Sequence, residues 1–281
     1  MKIGFYPGCS LEGSARDYNE SVFALAKAFD MDPEQVPDWN CCGATAAHNL
    51  NKELSLALPA RILATAEKNN MEEIVVPCAA CYSRLVVTQH ELRKDPERKN
   101  RISEVIEMDY RGTSRLLNVV EWITKYIVPK LDGRITKPFN HKVACYYGCL
   151  LVRPNKILNY DRAEDPQTMD EVMRKIGAEP VYYPYKTECC GAGFSVSRTD
   201  IVSRLSGKII EDAEHRGAEA MIVACPMCHS NLDMRRPDIN KAWKQDFKLP
   251  VMFVTQAIGL AIGLSAGQLG LKRHFVEVNI G

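Results

Sequence analysis

The sequence predicts an α/β protein made of two pseudo-symmetric βαβ-type halves, each with a cysteine cluster site at the carboxyl end of a mostly parallel sheet. Three observations predict this fold. Short apolar segments alternate with segments of helical periodicity, which is typical of parallel βαβ units. The same order of segments occurs twice along the chain. Ten of the eleven cysteines fall into two copies of one pattern, which indicates a duplicated unit.

In the first half, strand-like and helix-like segments alternate from the N-terminus onward. The spacing of Val22, Ala26 and Phe29 is helical, and Pro77 ends a short apolar strand. The predicted elements are a strand at 2–6, helices at 18–29 and 52–68, a strand at 73–76, and helices at 82–93 and 113–126.

The second half repeats this order. Residues 74–78 align with residues 221–225, so that an apolar strand leads into a C-x-x-C in both halves. Residues 129–138 are the predicted joint, and the predicted domains are therefore 1–135 and 136–281. The predicted elements are a strand at 142–147, a helix at 167–176, an extended segment at 180–183, a helix at 200–215, a strand at 220–224, a strand at 251–254 and a helix from 256 onward.

The cysteine pattern indicates a metal-binding module. Each copy has a single cysteine, then an adjacent pair followed by glycine, then a C-x-x-C. Because loops at the carboxyl ends of parallel strands hold ligands, we expect each half to gather its thiols at one sheet edge. The first set is Cys9, Cys41, Cys42, Cys78 and Cys81, and the second set is Cys149, Cys189, Cys190, Cys225 and Cys228.

Five thiols per set exceed what common metal sites need. A structural zinc ion takes four ligands, and a cubane iron–sulfur cluster takes four cysteines. Adjacent side chains such as Cys41 and Cys42 point apart, so they reach two irons of one cluster more easily than one small ion. Thiolates without histidine or carboxylate favour iron–sulfur chemistry over hard cations. The pattern predicts a bulky cluster with more than the usual number of protein ligands, and two structural zinc sites are the alternative.

Composition argues against several other classes of protein. Hydrophobic residues make up 46% and charged residues 25% of the 281 residues, as in an ordinary globular protein. The formal net charge of +1 gives no electrostatic case for nucleic acid or an anionic membrane as the partner. The N-terminus has no apolar signal segment, and thiols in a reducing compartment are more often metal ligands than disulfides. We therefore expect a cytoplasmic protein.

One uncharged segment, residues 249–271, is long enough to span a bilayer. It contains threonine, serine and two glutamines, and it divides naturally into a strand and a helix. Because unpaired polar groups are costly in lipid, we expect a buried strand and helix here. A partner-docking or membrane-facing helix is the alternative.

The two C…C-C-G…C-x-x-C motifs resemble those of the CCG-domain family, and in particular those of the iron–sulfur B subunits of heterodisulfide reductases. The resemblance covers almost the whole chain, including residues 6–10 and 225–231. In that family each motif is understood to bind a non-cubane four-iron cluster made of fused two-iron and three-iron units. The resemblance therefore implies two non-cubane [4Fe-4S] clusters, with about eight irons per chain, held by the two cysteine sets.

The same resemblance implies the catalytic subunit of a disulfide reductase within a flavin-containing, electron-bifurcating complex. The reference substrate is the mixed disulfide of coenzyme M and coenzyme B. Two clusters facing one pocket would each supply one electron and bind one product sulfur. The chain shows no dinucleotide fingerprint, so electrons would arrive from a ferredoxin-like iron–sulfur subunit, which is itself fed by the flavoprotein subunit of the complex.

Two other functions stay open from the sequence. One is an electron-relay subunit without a substrate of its own, because the CCG family also includes parts of lactate-utilisation and of succinate or fumarate reductase systems. The other is a heterodisulfide-reductase-like subunit that acts on a different sulfur compound. Two complete motifs favour catalysis, because a relay does not need a matched pair of open clusters.

Five further residues are weaker candidates. His229 follows a cysteine directly and His48 lies near the first cysteine pair; each is a candidate contact to substrate or cluster sulfur, with a capping or surface role as the alternative. Arg153 and Lys186 are candidate anion-binding residues, because the two coenzymes carry a sulfonate and a phosphate. The leftover Cys145 lies in a predicted strand and is expected to be buried and inert, with auxiliary ligation as the alternative.

Overall fold

Two parallel sheets form the framework of the protein. The computed structural model describes residues 1–44 and 46–280. Within these residues the strands are β1 (Lys2–Phe5), β2 (Asp32–Gln35), β3 (Glu73–Val76), β4 (Arg115–Asn118), β5 (Lys142–Tyr146), β6 (Glu179–Pro180), β7 (Ala220–Val223) and β8 (Val251–Phe253). The first sheet has the order β2-β1-β3-β4 and the second β6-β5-β7-β8, and every neighbouring pair is parallel. The predicted α/β fold with two similar halves is confirmed.

Helices connect the strands and cover the sheets. In the described ranges they are α1 (Gly8–Glu12), α2 (Arg16–Ala28), α3 (Ala47–Leu50), α4 (Lys52–Lys68), α5 (Ala79–Lys94), α6 (Pro96–Ile106), α7 (Val119–Tyr126), α8 (Asn155–Leu158), α9 (Thr168–Lys175), α10 (Thr199–His215), α11 (Pro226–His229), α12 (Arg236–Trp243) and α13 (Val254–Ala261). The predicted bounds of α4 and β3 match those of the structure. Helix α4 begins where the Asn51 side chain accepts a hydrogen bond from the Leu54 amide.

The segment 113–126, predicted as one helix, is a strand followed by a helix. Leu116 and Leu117 are buried in β4, which pairs with β3. The Asn118 side chain then accepts hydrogen bonds from the Val120 and Glu121 amides, and the Glu121 carboxylate accepts one from the Asn118 amide. This capping box starts α7 later than predicted, because pairing with β3 outweighs the helical periodicity of the preceding residues. Sequence analysis predicted no element for β2, α6 or α12.

The uncharged segment 249–271 supplies β8 and α13, and the prediction of a buried strand and helix is confirmed. Helix α13 packs against α2 of the other half. Ser21 Oγ on α2 and Thr255 Oγ1 on α13 lie 2.7 Å apart, so these two buried hydroxyls satisfy each other. Among the helices that the structure describes, none combines the length and the apolar character required to cross a bilayer.

The central strands of both sheets lead into cysteine loops. Cys9 and Cys78 follow β1 and β3, and Cys149 and Cys225 follow β5 and β7. Because β1 and β3 are neighbours, as are β5 and β7, each pair of loops emerges side by side at a carboxyl edge. The chain passes from the first sheet to the second between α7 and β5, and the domain boundary at 135 stays a prediction.

Candidate metal centre

The five cysteines of the first half converge at the carboxyl edge of the first sheet. The Cys42 and Cys81 sulfurs are 3.2 Å apart. Cys41 interacts with Cys42 and with Cys9, and Cys78 interacts with Cys81. Cys42, Cys78 and Cys81 are buried, whereas Cys9 and Cys41 are exposed. The first set therefore has one side against the core and one side open to solvent.

The second set has the same arrangement. The Cys190 and Cys228 sulfurs are 3.8 Å apart. Cys189 accepts a hydrogen bond from Cys149, and Cys225 interacts with Cys228. Cys190, Cys225 and Cys228 are buried, Cys149 is half-buried and Cys189 is exposed. All eleven cysteines are free thiols, so the two sets are available as metal ligands.

A glycine precedes the first cysteine of each set and lies directly against a sulfur. A Cβ on Gly8 would stand 3.1 Å from the Cys81 sulfur, and one on Gly148 would stand 2.9 Å from the Cys228 sulfur. Both glycines have positive φ, at 63° and 70°, which side-chain-bearing residues rarely adopt. The first loop of each half therefore needs glycine for its backbone conformation and for close approach to the thiols.

The glycine that follows each cysteine pair donates a backbone hydrogen bond to sulfur. The Gly43 amide lies 3.4 Å from the Cys41 sulfur, and the Gly191 amide lies 3.3 Å from the Cys189 sulfur. Hydrogen bonds to sulfur stabilise the thiolate form that metals bind. The two halves thus repeat this contact at equivalent positions.

A buried tyrosine fixes the start of each cysteine pair. The Tyr6 hydroxyl donates to the Asn40 carbonyl at 2.9 Å, and the Tyr146 hydroxyl donates to the Glu188 carbonyl at 2.7 Å. Burial, together with the neighbouring thiols, raises the pKa of both phenols, so they remain protonated donors. Each tyrosine thereby holds the backbone immediately before the adjacent cysteines.

One thiol in each pair is activated by its neighbours. Hydrogen bonds from Cys41 and Cys81 lower the pKa of Cys42 to about 4. Hydrogen bonds from Cys149 and from the Gly191 amide lower the pKa of Cys189 to about 6. In each set the neighbouring groups therefore favour the thiolate form of one cysteine, which is the form that ligates metals.

The two cysteine sets meet across the interface between the halves. Cys78 and Cys225, which begin the two C-x-x-C motifs, interact with each other. The fully buried Tyr18 lies behind them, with its hydroxyl 3.4 Å from the Pro77 carbonyl and 3.5 Å from the Ala224 carbonyl. One side chain from α2 therefore contacts two loops at equivalent positions.

A cavity of about 530 Å³ is lined by residues that neighbour cysteines of both sets along the chain. Ser10, next to Cys9, contributes one wall, and Ala192 and Met227 of the second set's loops contribute the other. A larger cavity of about 700 Å³ lies at the opposite edge of the first sheet, where β1 and β3 begin. Position relative to the thiols, and not size, therefore makes the smaller cavity the candidate substrate site.

The donor set fits iron–sulfur clusters better than isolated zinc ions. Each set offers five sulfurs, three of them buried, and the described hydrogen-bond contacts of these sulfurs are to other sulfurs, to backbone amides and to the Asn231 side-chain amide. Tetrahedral zinc would leave one thiol of each set without a role. A larger cluster uses adjacent cysteines on different irons, as the pair geometry allows. The ligand roles of the ten cysteines stay a prediction that this geometry supports.

The predicted histidine contacts lie in two different environments. His229 is buried, stacks on Phe253, and its Nε2 donates to the Val251 carbonyl at 3.1 Å. His48 is exposed, and its Nδ1 lies 3.2 Å from the Arg84 guanidinium. Neither side chain has a described contact to a cysteine sulfur, so both roles stay predictions.

The predicted anion-binding residues also differ from each other. The Lys186 ammonium is buried and lies 2.8 Å from Asp170, 3.4 Å from Asp165 and 3.0 Å from the Pro166 carbonyl. All three of its N–H donors face these groups, which does not favour a role in binding an external anion. Arg153 is partly exposed and lies 3.4 Å from Glu164, so it remains accessible to a ligand.

Cys145 lies in β5, is fully buried, and carries a pKa raised by burial. Its predicted burial is confirmed. A protonated, inaccessible thiol behaves as a small apolar side chain, which is the inert role expected from the sequence.

Sequence analysis missed two side chains that face the thiols. Asn231 Nδ2 lies 3.6 Å from the Cys190 sulfur and 3.1 Å from the Cys190 carbonyl. Arg84 contributes to the low pKa of Cys42 through its positive charge. Each residue lies three positions after the last cysteine of its set, one helical turn away, and this offset is the signal that would have found them.

Comparison with known proteins places this architecture in a family. The chain matches the model of the cysteine-rich CCG domain twice, at residues 3–86 and 143–233. It is 32% identical to the B subunit of the ferredoxin:CoB-CoM heterodisulfide reductase of Methanosarcina mazei, over 98% of this chain and 94% of that protein. It is 29% identical to the membrane anchor subunit of the 8-methylmenaquinol:fumarate reductase of Wolinella succinogenes, over 98% of this chain and 97% of that one.

Among solved structures, a hypothetical protein from Helicobacter pylori has the same fold. It superposes with a TM-score of 0.83 and 15% identity, over 99% of this chain. This chain spans 52% of the length of that protein, and the likeness concerns the fold alone. The two matched segments cover both cysteine sets, and the chain is therefore a member of the cysteine-rich CCG-domain family.

Proposed function

We propose that this chain is the iron–sulfur subunit of a multi-subunit oxidoreductase that reduces a disulfide to two thiols. The observation that carries the proposal is the meeting of two complete cysteine sets at Cys78 and Cys225, beside one cavity. Two electrons must reach one disulfide, so two redox groups at one pocket suit this reaction. The reference substrate is the disulfide of coenzyme M and coenzyme B, which the name of the Methanosarcina mazei relative includes.

The two sets of five cysteines are proposed to hold two non-cubane [4Fe-4S] clusters. Such clusters, when bound, would supply one electron each and Lewis-acidic iron for the two product sulfurs. The chain itself positions the ligands. Tyr6 and Tyr146 hold the backbone before the cysteine pairs, and Tyr18 contacts both C-x-x-C loops.

Each cysteine set is buried on one side, so a substrate could approach its sulfurs only from the other side. The three buried cysteines of each set face the core, and Cys9, Cys41 and Cys189 face solvent. A substrate in the cavity between Ser10 and Met227 would approach from the open side, while the packed side excludes water. Arg153 does not line this cavity, and its proposed role as a contact for an anionic substrate group rests on the partial exposure of its guanidinium.

The chain needs an electron source, and we propose protein partners for it. Its relatives are named as subunits of larger complexes. A ferredoxin-like iron–sulfur subunit, itself fed by a flavoprotein subunit, fits a chain in which sequence analysis found no dinucleotide fingerprint. A cytoplasmic location stays a prediction.

A second candidate function is electron relay without a bound disulfide. The similarity to the Wolinella succinogenes fumarate reductase protein extends over 98% of this chain. The identity is 29%, compared with 32% for the disulfide reductase protein. In that case the cavity beside the thiols would have no substrate, and electrons would pass on to another protein of the complex.

The test uses the anaerobically purified complex that contains this chain. Reduced viologen dye is mixed with the coenzyme heterodisulfide, with fumarate, or with buffer alone. We expect dye oxidation only with the disulfide, together with about eight irons per copy of this chain. Oxidation with fumarate alone would favour the relay function. Two zincs in place of iron would overturn both candidates.

A further inference from the structure

A second group of metal-ligating side chains lies beside the second cysteine set. Asp17, His229 and His274 each offer one ligand atom, and these atoms lie within 4.8 Å of one another. Asp17 comes from α2 of the first half, His229 from α11 of the second half, and His274 from the segment that follows α13. All three side chains are almost completely buried.

His229 is held in the state that a metal requires. Its Nε2 lies 3.1 Å from the Val251 carbonyl, and because a carbonyl oxygen can only accept, Nε2 must carry the proton. Nδ1 therefore presents a lone pair. A histidine whose second nitrogen donates to a backbone carbonyl is the usual arrangement at metal sites.

Asp17 and His274 face each other, and each has one buried atom without a hydrogen-bond partner. Asp17 Oδ2 and His274 Nε2 are 3.2 Å apart, close to the roughly 3.3 Å that separates two ligands of a tetrahedral ion with bonds of about 2 Å. Asp17 Oδ2 and His274 Nδ1 are both buried without a hydrogen-bond partner. Unpartnered buried polar atoms are costly, and a cation between these groups would satisfy the carboxylate oxygen.

The neighbouring Gln256 amide has a fixed orientation. Its Oε1 accepts from the Phe253 amide at 2.8 Å and its Nε2 donates to the Leu269 carbonyl at 3.1 Å. The remaining N–H of Gln256 lies 2.8 Å from His274 Nε2, so this nitrogen is unprotonated and accepts that hydrogen bond with its one lone pair. Two acceptors thus face each other, and a metal ion on His274 would replace only this one contact of Gln256.

A cavity lies beside the three side chains, and the segment that carries His274 is anchored. A cavity of about 410 Å³, lined in part by Asp17 and His229, leaves room for a water ligand. Asp233 accepts hydrogen bonds from the Phe275 and Val276 amides, at 2.8 Å and 3.0 Å, which holds the segment carrying His274 in place. Arg273, which also lines the cavity, is paired with Glu20 at 2.7 Å.

We propose that Asp17, His229 and His274 bind one divalent metal ion of the zinc class, separate from the ten cysteines. Two imidazoles and one carboxylate form a donor set that suits zinc and disfavours calcium or magnesium. The ion would join α2, α11 and the segment that follows α13, and so would link both halves beside the second cysteine set.

The experiment adds Zn²⁺ to the full-length chain purified anaerobically with its iron–sulfur groups, followed by dialysis against a weak chelator. We expect about one zinc per chain, with zinc–nitrogen or zinc–oxygen distances near 2.0 Å and no zinc–sulfur shell near 2.3 Å in X-ray absorption. His274→Gln and Asp17→Asn are each expected to lower retained zinc at least tenfold while iron content is unchanged.

His215→Gln is the matched control, because His215 is an exposed histidine on α10, and it should retain zinc like the wild type. If Asp17→Asn fails to fold, His274→Gln still tests the site. The proposal is overturned if the wild type retains no zinc, if both variants retain as much as the wild type, or if the absorption spectrum shows sulfur ligands. An Asp17–His274 ion pair without metal would give the first of these results.

Discussion

The two halves of this protein share the glycine and tyrosine contacts of their cysteine loops and differ in the charged residues around those loops. Gly8 and Gly148 have matching positive φ values and matching positions against a thiol. Tyr6 and Tyr146 make the same hydrogen bond to the residue before the cysteine pair. The same three cysteines of each set are buried. Contacts to sulfur therefore restrict the loops more than the surrounding fold does.

The two halves differ in the charged residues that surround the cysteine loops. In the second half, the buried Lys186–Asp170 ion pair, to which the Tyr147 hydroxyl donates at 2.7 Å, supports the cysteine loops. In the first half, the residue equivalent to Lys186 is the exposed Asp38, which pairs with Arg61. The positions one turn after the last cysteine also differ, with Arg84 in one half and Asn231 in the other. Similar cysteine loops are thus placed in unequal electrostatic surroundings.

The largest expected effect tests whether the close approach of glycine to sulfur is equally strict in both halves. Gly148→Ala places a Cβ 2.9 Å from the Cys228 sulfur, closer than real Cβ contacts occur, whereas Gly8→Ala places one at 3.1 Å from Cys81. We expect Gly148→Ala to lose up to half of the bound iron, and Gly8→Ala to lose less, in an iron and sulfide assay.

Gly217→Ala separates backbone strain from contact with sulfur. Gly217 also has positive φ, at 74°, but a Cβ there would meet no atom within 4 Å. This control should cost about 1–2 kcal/mol of stability and leave the iron content unchanged. Equal iron loss in Gly217→Ala and Gly148→Ala would show that strain alone explains the effect.

An intermediate effect tests the unequal charges around the two sets. The positive charge of Arg84 lies near Cys42, and a cation stabilises the added electron of a reduced cluster. Arg84→Gln is expected to lower the midpoint potential of one of the two redox groups by about 20–40 mV, equivalent to roughly 0.5–1 kcal/mol for one electron.

A redox titration followed by electron paramagnetic resonance checks this prediction. The signal of the other redox group should keep its potential, because Asn231 next to Cys190 is neutral and unchanged. Exposed Arg198→Gln is the control for loss of a positive charge elsewhere, since Arg198 pairs with Asp200 on the surface. Identical shifts in both variants would exclude a local effect of Arg84.

The smallest expected effect concerns Tyr6 and Tyr146, whose hydroxyls donate to the carbonyls just before the cysteine pairs. Tyr6→Phe and Tyr146→Phe each remove one hydrogen bond to a backbone carbonyl, at 2.9 Å and 2.7 Å, and leave the ring in place. Each should lower the free energy of unfolding by about 1 kcal/mol, as measured by denaturant titration under anaerobic conditions. A difference of several kcal/mol between the two variants would mean that the halves do not use this contact equally.

The cysteine pattern and the local elements were predictable because they depend on neighbouring residues. The strand β3 ends at Pro77, and α4 follows an asparagine cap, and both signals are local in sequence. The helix predicted for 113–126 was wrong over 113–118 and is confirmed over 119–126, because β4 exists only through its pairing with β3. The strand β2, with the sequence Asp-Pro-Glu-Gln, likewise carries no strand signal of its own and pairs with β1.

The sequence by itself determined which ten thiols belong to two sets and that each set lies after parallel strands, because spacing and periodicity are properties of the chain. Only the tertiary structure brought Cys78 against Cys225, placed Tyr18 behind both, and collected Asp17, His229 and His274 at one point. The reason is physical: these residues are far apart along the chain, and the packing of α2 and α13 between the halves, which no local pattern specifies, decides which of them meet.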